Sequence, residues 1–284
     1  MSADDVTAYR RIILDLYQSF ANRRAMAQAA ELARLLRLDL LGVYIEDEAV
    51  HELAGLPFAR ELRLPSHEWV LVDADQVAAD FRHAATTAER MLAETAATLG
   101  VASVFQTMRG DPAEAIAGLL RASDIIVLTE PRTHGELLTG ALAQSWRAAL
   151  GAGASVLLLP PKVTRRRGPV AVLVADPEDR GLITAARIAL AADETLLILL
   201  TGSDATLCEA AVRTARAIGL PQGRVRTHIV AGTSAQSIVQ GLAQANERLF
   251  VLSCDMLSQE HAEIVTRIAA ARGVPVLLVA CPSG

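Results

Sequence analysis

The chain repeats itself. Gly110-Asp111-Pro112-Ala113-Glu114-Ala115-Ile116 matches Gly232-Thr233-Ser234-Ala235-Gln236-Ser237-Ile238. Both segments read glycine, helix cap, any residue, alanine, acid or amide, any residue, isoleucine. Each predicts a strand exit, a capping box that opens on Asp111 or Thr233, and the first buried residue of a helix. Further on, DIIVL at 124–128 matches RLFVL at 248–252, and SVLLL at 155–159 matches PVLLV at 275–279. The offset between matched segments is about 120 residues late in the repeat and about 160 at its start, so the first copy carries about 40 extra residues, within 46–90. A length of 284 residues gives each copy its own core.

What is repeated is an alternation of strands and helices. Residues 10–15 (RRIILD) form a short apolar run that ends in an acid, and 170–175 ends in Asp176 in the same way. A helix follows over 22–37, with Ala25, Ala29, Leu32 and Leu36 on one face. The runs at 40–45, 103–108, 125–129 and 155–159 read as strands, separated by helical stripes at 76–99, 111–121 and 136–150. The second copy has strands at 170–175, 196–200, 225–230, 249–252 and 276–279. Between the copies, residues 161–168 hold Lys162 and Arg165 to Arg167, lie between prolines and break all periodicity, which makes them a linker. Val/Leu/Ile-rich strands alternating with helices imply a parallel sheet covered on both faces. The fold class expected is α/β: two tandem doubly wound domains, 1–160 and 169–284, each a five-stranded parallel sheet in the order 3-2-1-4-5 flanked by helices.

Charge excludes one class of partner. Residues 1–160 hold 14 arginines against 21 carboxylates, and 169–284 hold 9 against 11. Two acidic domains with a short basic strip between them lack the broad basic face that neutralises several phosphates, so nucleic acid is not the expected partner. No apolar run approaches the roughly 20 residues of a membrane helix, and the polar, acidic residues 1–5 do not read as a signal peptide. Cys208, Cys254 and Cys281 are scattered, with no C-x-x-C pair. They predict neither a disulfide framework nor a zinc site, and a reducing cytoplasm. The six histidines show no metal-ligand spacing.

Several doubly wound families need motifs that this chain lacks. Neither first strand is followed by G-x-G-x-x-G, and no G-x-x-x-x-G-K-[ST] occurs. A receiver domain needs a lysine in its acidic pocket, and Lys162 lies in the linker. The aspartates after the first strands, the Gly110-Asp111-Pro112-Ala113 helix opening, the DIIVL strand and the Leu137-Leu138-Thr139-Gly140-Ala141-Leu142 stretch together resemble the universal stress protein family. The resemblance covers nearly the whole chain twice, apart from 47–71. Members of that family usually pair through their last strands. The resemblance therefore implies an internal pseudo-dimer, with Val156 and Leu158 beside Val276 and Leu278.

Some members of the family bind ATP, through the first-strand aspartate and a G-x-x-G-x9-G-[ST] loop. The positions of this chain that the resemblance nominates are Asp15, Val43, Gly110, Arg132, Gly135 and Gly140. Of the loop, only Gly140 clearly matches. Ala141 replaces the hydroxyl residue, and Glu130 and Glu136 oppose phosphate. The second copy, at 253–261, contains no glycine to expose backbone donors, and ATP is not expected there. Asp15 and Asp176 otherwise read as polar strand ends that cap the next helix. Cys254, Asp255 and His261 share one strand exit but lack an orienting group or oxyanion hole, and the reading is non-catalytic.

The extra segment, 46–72, is the most individual part of the chain. Leu53, Leu56, Phe58 and Leu62 interleave with charges. The expectation is a lid near the carboxyl ends of the first domain's strands, with these four side chains buried on the domain or against a second molecule, which admits a further homodimer. The function expected is a non-enzymatic stress-response or regulatory protein, without a cofactor, acting through an unidentified protein partner or a small ligand. The alternative is an adenine-nucleotide regulator that binds ATP or AMP in the first domain only, with slow ATP hydrolysis. A hydrolase or transferase of the same superfamily lacks a placed nucleophile.

Overall fold

The structure, a computed structural model, describes residues 9–16, 23–129, 141–256 and 261–280. The chain runs β1 (Arg11–Asp15), α1 (Arg23–Leu36), β2 (Asp39–Asp47), α2 (Glu48–Ala54), β3 (Arg60–Arg63), β4 (Glu68–Leu71), α3 (Ala74–Leu99), β5 (Ser103–Gly110), α4 (Pro112–Leu119), β6 (Asp124–Thr129), α5 (Ala141–Gly151) and β7 (Ser155–Leu159). It continues through β8 (Val170–Val174), α6 (Arg180–Ala191), β9 (Leu196–Leu200), α7 (Ala205–Ala217), β10 (Val225–Ile229), α8 (Ala235–Gly241), β11 (Leu249–Ser253), α9 (His261–Arg272) and β12 (Val276–Val279).

The main sheet has ten strands, in the order β10-β9-β8-β11-β12-β7-β6-β1-β2-β5. Read from either edge to the middle, the strands of each half stand in the order 3-2-1-4-5. Pairing is parallel throughout each half. At the centre β12 meets β7 antiparallel, with Val276 opposite Leu158 and Leu278 opposite Val156. The two expected sheets are therefore joined into one, because both fifth strands are fully buried apolar edges that satisfy their backbone groups on each other. The hydroxyl of Ser155 strengthens the seam, accepting from the Ala280 N–H at 3.0 Å and lying 3.0 Å from the Tyr9 hydroxyl.

Alternation along the strands builds two cores. Ile12, Leu14, Leu157, Val172 and Leu277 face α1, α3, α6 and α7 on one side. Ile13, Val43, Val156, Leu173 and Leu278 face α4, α5, α8 and α9 on the other. Helix starts follow their caps. Asp111 accepts from the Glu114 N–H at 2.9 Å with Pro112 in the first turn, as the repeat predicts. In the second copy Ser234, not Thr233, is the cap, accepting from the Ser237 N–H at 3.2 Å. The helix starts one residue later there, while Ile116 and Ile238 are both still buried. Gly110 has φ +149°, a value that side chains disfavour, and Gly232 is not among the positive-φ glycines. The linker is tied down: Thr164 N–H donates to the Gly273 carbonyl at 2.8 Å and Gly168 N–H to Glu194 at 3.0 Å.

The insertion departs from expectation. It forms α2 and a two-stranded antiparallel hairpin, β3–β4, and does not lie down as a lid. Leu53, Leu56, Phe58 and Leu62 are 56%, 41%, 73% and 43% exposed, so they are not buried on the domain, one of the two expected places for them. Helix α2 itself is anchored. Asp47 caps it, Ala54 is buried, His51 stacks on Phe81 at 4.8 Å, and Glu48 takes two hydrogen bonds from Arg109 at 2.6 and 2.8 Å. It packs on β2, β5 and α3, at the outer edge of the sheet. Beyond Ala54 burial is confined to Ala59 at the base of the hairpin, and the large apolar residues around it stay exposed.

Candidate functional site

In an open doubly wound sheet the ligand crevice lies beyond the carboxyl ends of the strands, where the order reverses. In the second half that point falls between β8 and β11, at the start of α6. The structure fills it with the chain's own groups. Asp179, the N-cap of α6, accepts from the Gly181 N–H at 2.6 Å. The Ser253 hydroxyl, at the end of β11, donates to the Asp179 carboxylate in a short hydrogen bond and accepts from the Gly181 N–H at 3.0 Å. A Cβ on Gly181 would lie 2.6 Å from the Ser253 Oγ and 2.9 Å from Asp179 Oδ1, so only glycine allows this approach. Burial pushes the Asp179 carboxyl above the usual carboxylate range; Asp255 adds to the rise, and the Ser253 and backbone hydrogen bonds oppose it. The helix N-terminus that would receive an anion thus already holds one.

The sequence pattern pointed elsewhere. Asp176 lies exposed beyond the end of β8, where it accepts from the Glu178 N–H at 2.8 Å and caps a turn, not the helix. Asp179 and Ser253 carried no motif. The available signal was an acid one residue before a helical pattern, 178-EDRGLI-183, with a glycine two positions further on.

In the first half, β1 and β2 place Asp15 directly across from Val43. Asp15 is 4% exposed and holds an interaction of its own. Val43 is fully buried in the sheet, and its carbonyl accepts from the Leu16 N–H at 2.8 Å. Gly110 stands apart from this pair. Val43 faces Gln106 on β5, and Gly110 lies four residues further on, about 13 Å along the strand. Arg132, Gly135 and Gly140 lie outside the described residues. The described part of the first half therefore presents a buried aspartate at the end of β1, beside β2; residues 17–22 and 130–140, which follow β1 and β6 at the switch point, lie outside the described residues.

The remaining candidates resolve simply. Cys254 is disulfide-bonded, which the scattered cysteines did not predict, and Cys208 is free. Asp255 is exposed, and the His261 side chain lies outside the described residues. Among the described residues no group of three His, Cys, Asp or Glu side chains is placed to hold a metal ion. No helix of the described residues is long and apolar enough to cross a membrane. A cleft of about 840 Å³ lies between α1, α6 and α7, with Tyr9, Leu38, Thr184 and Ile218 among its walls.

No protein-family model matches the chain. No curated protein matches it in sequence. In structure it is similar to a universal stress protein from Archaeoglobus fulgidus DSM 4304, at 14% identity and a TM-score of 0.66, over 96% of this chain and 97% of that one. It is also similar to a functionally unknown protein from Pseudomonas aeruginosa PAO1, at 16% identity and a TM-score of 0.51, over 96% and 92% of the two chains. The cytoplasmic domain of a prokaryotic cation chloride cotransporter is similar too, at 12% identity and a TM-score of 0.51, over 96% and 95%. At such identities the likeness is one of fold, which proteins with different roles share.

Proposed function

We propose that the chain is a tandem universal stress protein that works without catalysis and without a bound cofactor, through protein contacts or a small ligand, in the cytoplasm. Its domains are 1–160 and 169–284. The fold likeness supports the class. One observation carries the non-nucleotide reading: the crevice of the second half is occupied by the Asp179–Ser253–Gly181 network. A triphosphate there would have to displace a half-buried carboxylate from the helix N-terminus, against charge repulsion at close range. The test is mass spectrometry of the denatured, freshly purified protein, followed by calorimetric titration of the intact chain with ATP. The reading expects no adenine nucleotide and no saturable heat; binding at a stoichiometry of two would overturn it.

The alternative keeps ATP or AMP in the first half, with slow hydrolysis. It is favoured by one placement, Asp15 beside Val43 at the carboxyl end of the sheet. It expects a stoichiometry of one, abolished by Asp15→Ala and unaffected by Ser253→Ala. The Cys254 disulfide pulls against a cytoplasmic placement, because reducing compartments keep thiols free. Acid-trapped cell extracts answer this. Three titratable thiols fit the cytoplasm, and fewer than three place the protein in an oxidising compartment.

A further inference from the structure

Among the described residues nothing covers the β3–β4 hairpin. Every residue from 60 to 69 is exposed, and among the described residues the two strands pair only with each other. An isolated two-stranded hairpin is marginal in water and gains stability from further strands or a covered face. The register Arg60↔Leu71, Glu61↔Val70, Leu62↔Trp69 and Arg63↔Glu68 sorts the side chains. Leu62, Trp69 and Leu71 share one face with Arg60. Glu61, Arg63 and Glu68 share the other with Val70. Trp69 and Leu71 are 64% and 56% exposed, and Leu64, at the tip, 73%. A patch this apolar on a projecting element marks a contact surface.

Charge along the β3 edge identifies what covers it. The strand reads Arg60-Glu61-Leu62-Arg63. Suppose β3 pairs antiparallel with β3 of a second copy. Residues directly opposite in a ladder lie on one face, so the two-fold axis passes through a residue, and an axis through Arg60 opposes two guanidinium groups. An axis through Glu61 opposes two carboxylates, and an axis through Arg63 opposes two guanidinium groups. An axis through Leu62 sets Glu61 of each copy against Arg63 of the other, twice, with the two leucines meeting between them. Opposite charges directly across a ladder stabilise it and like charges do the reverse, so the pattern selects one register. The β4 edge, Glu68-Trp69-Val70-Leu71, carries one charge and offers no such complementarity. The isologous contact is the symmetry expected of a homodimer.

We propose that the protein dimerises through this hairpin. The β3 strands of two copies pair antiparallel about Leu62 into a four-stranded sheet, with Glu61–Arg63 ion pairs on both sides of the axis. The proposal rests on the insertion alone and is independent of the functional reading above. It is tested by sedimentation velocity on the full chain over a concentration series, with circular dichroism and melting temperature as folding controls. The wild type is expected to dimerise. Glu61→Arg and Arg63→Glu, each alone, set like charges across the axis twice and weaken the dimer roughly tenfold or more. The double variant E61R/R63E restores it. A mixture of E61R with R63E also restores it, as a heterodimer, because arginine at both 61 and 63 in one copy then meets glutamate at both positions in the other. A wild type that stays monomeric at the highest concentration overturns the proposal. So does a dimer that ignores both charge variants but is lost in Leu62→Ser/Trp69→Ser, which would mean that the hairpins stack face to face.

Discussion

At the level of single residues, the second-half crevice is a compact test of how polar groups are arranged inside this fold. Asp179 is half-buried, and its carboxyl is pushed up by desolvation beyond what its hydrogen bonds offset. Folding therefore favours the protonated form. The stability this group contributes is fully present below the carboxylate's unfolded pKa and is lost as pH rises through the folded value. Asp179→Asn keeps an oxygen for the Gly181 N–H and removes the charge. The variant should gain in melting temperature over the wild type as pH rises from strongly acid towards neutral, and lose that advantage at the acid end. A difference that does not change with pH would show that the carboxyl titrates as in the unfolded chain. Gly181→Ala forces a Cβ onto the Ser253 Oγ and should cost about 1–3 kcal/mol in urea unfolding. Combining it with Ser253→Ala removes the obstructing atom, so the two costs should fall short of adding.

Among the elements, each half buries a carboxylate at the start of its fourth strand and satisfies it differently. Asp124, 1% exposed, takes two hydrogen bonds from Arg11 on β1, both at 3.0 Å. Glu247, fully buried just before β11, takes two from Arg272 at the end of α9, at 2.7 and 2.9 Å. Arg272 also donates to the Leu242 carbonyl at 2.7 Å, so one side chain ties α9 to the end of α8. Arg272→Met leaves a buried charge without its cation and should cost about 3–5 kcal/mol in denaturant unfolding. Adding Glu247→Gln should recover part of that loss. Equal losses in the single and double variants would show that the arginine acts through the Leu242 carbonyl and not through the ion pair.

For the whole molecule, the seam decides cooperativity. Val156, Leu158, Val276 and Leu278 are all fully buried there, and Arg248 reaches Glu31 of the other half at 2.5 Å. The linker carries exposed arginines, Arg166 and Arg167. Brief trypsin treatment should cut within 161–168 while the two pieces still elute together, separating only in denaturant. Leu278→Asp places a charge in the apolar seam, where burial is strongly unfavourable. The intact chain is expected to unfold in one calorimetric transition, and this variant in two, or with its halves parting after nicking. Unchanged cooperativity in this variant would mean that helix contacts between α1 and α6, and not the paired strands, hold the halves together.

The meeting of the two fifth strands followed from the family resemblance. Legible in the residues alone were the strand–helix alternation, the ten strands of the main sheet to within two residues, and the Asp111 cap. All of these depend on periodicity or on a wholly apolar run, and both are local properties that any packing must respect. Tertiary structure decided the rest. Asp176 held the motif position, yet Asp179 caps α6, because only the folded sheet brings Ser253 from β11 across 74 residues to meet it. Thr233 and Ser234 are equally good caps on paper, and the folded chain uses the second. The insertion's apolar residues looked like core because burial is the usual fate of such side chains. Whether a surface exists for them to cover is a question of where the chain goes after Ala54, and a pattern of residue types carries no information about that.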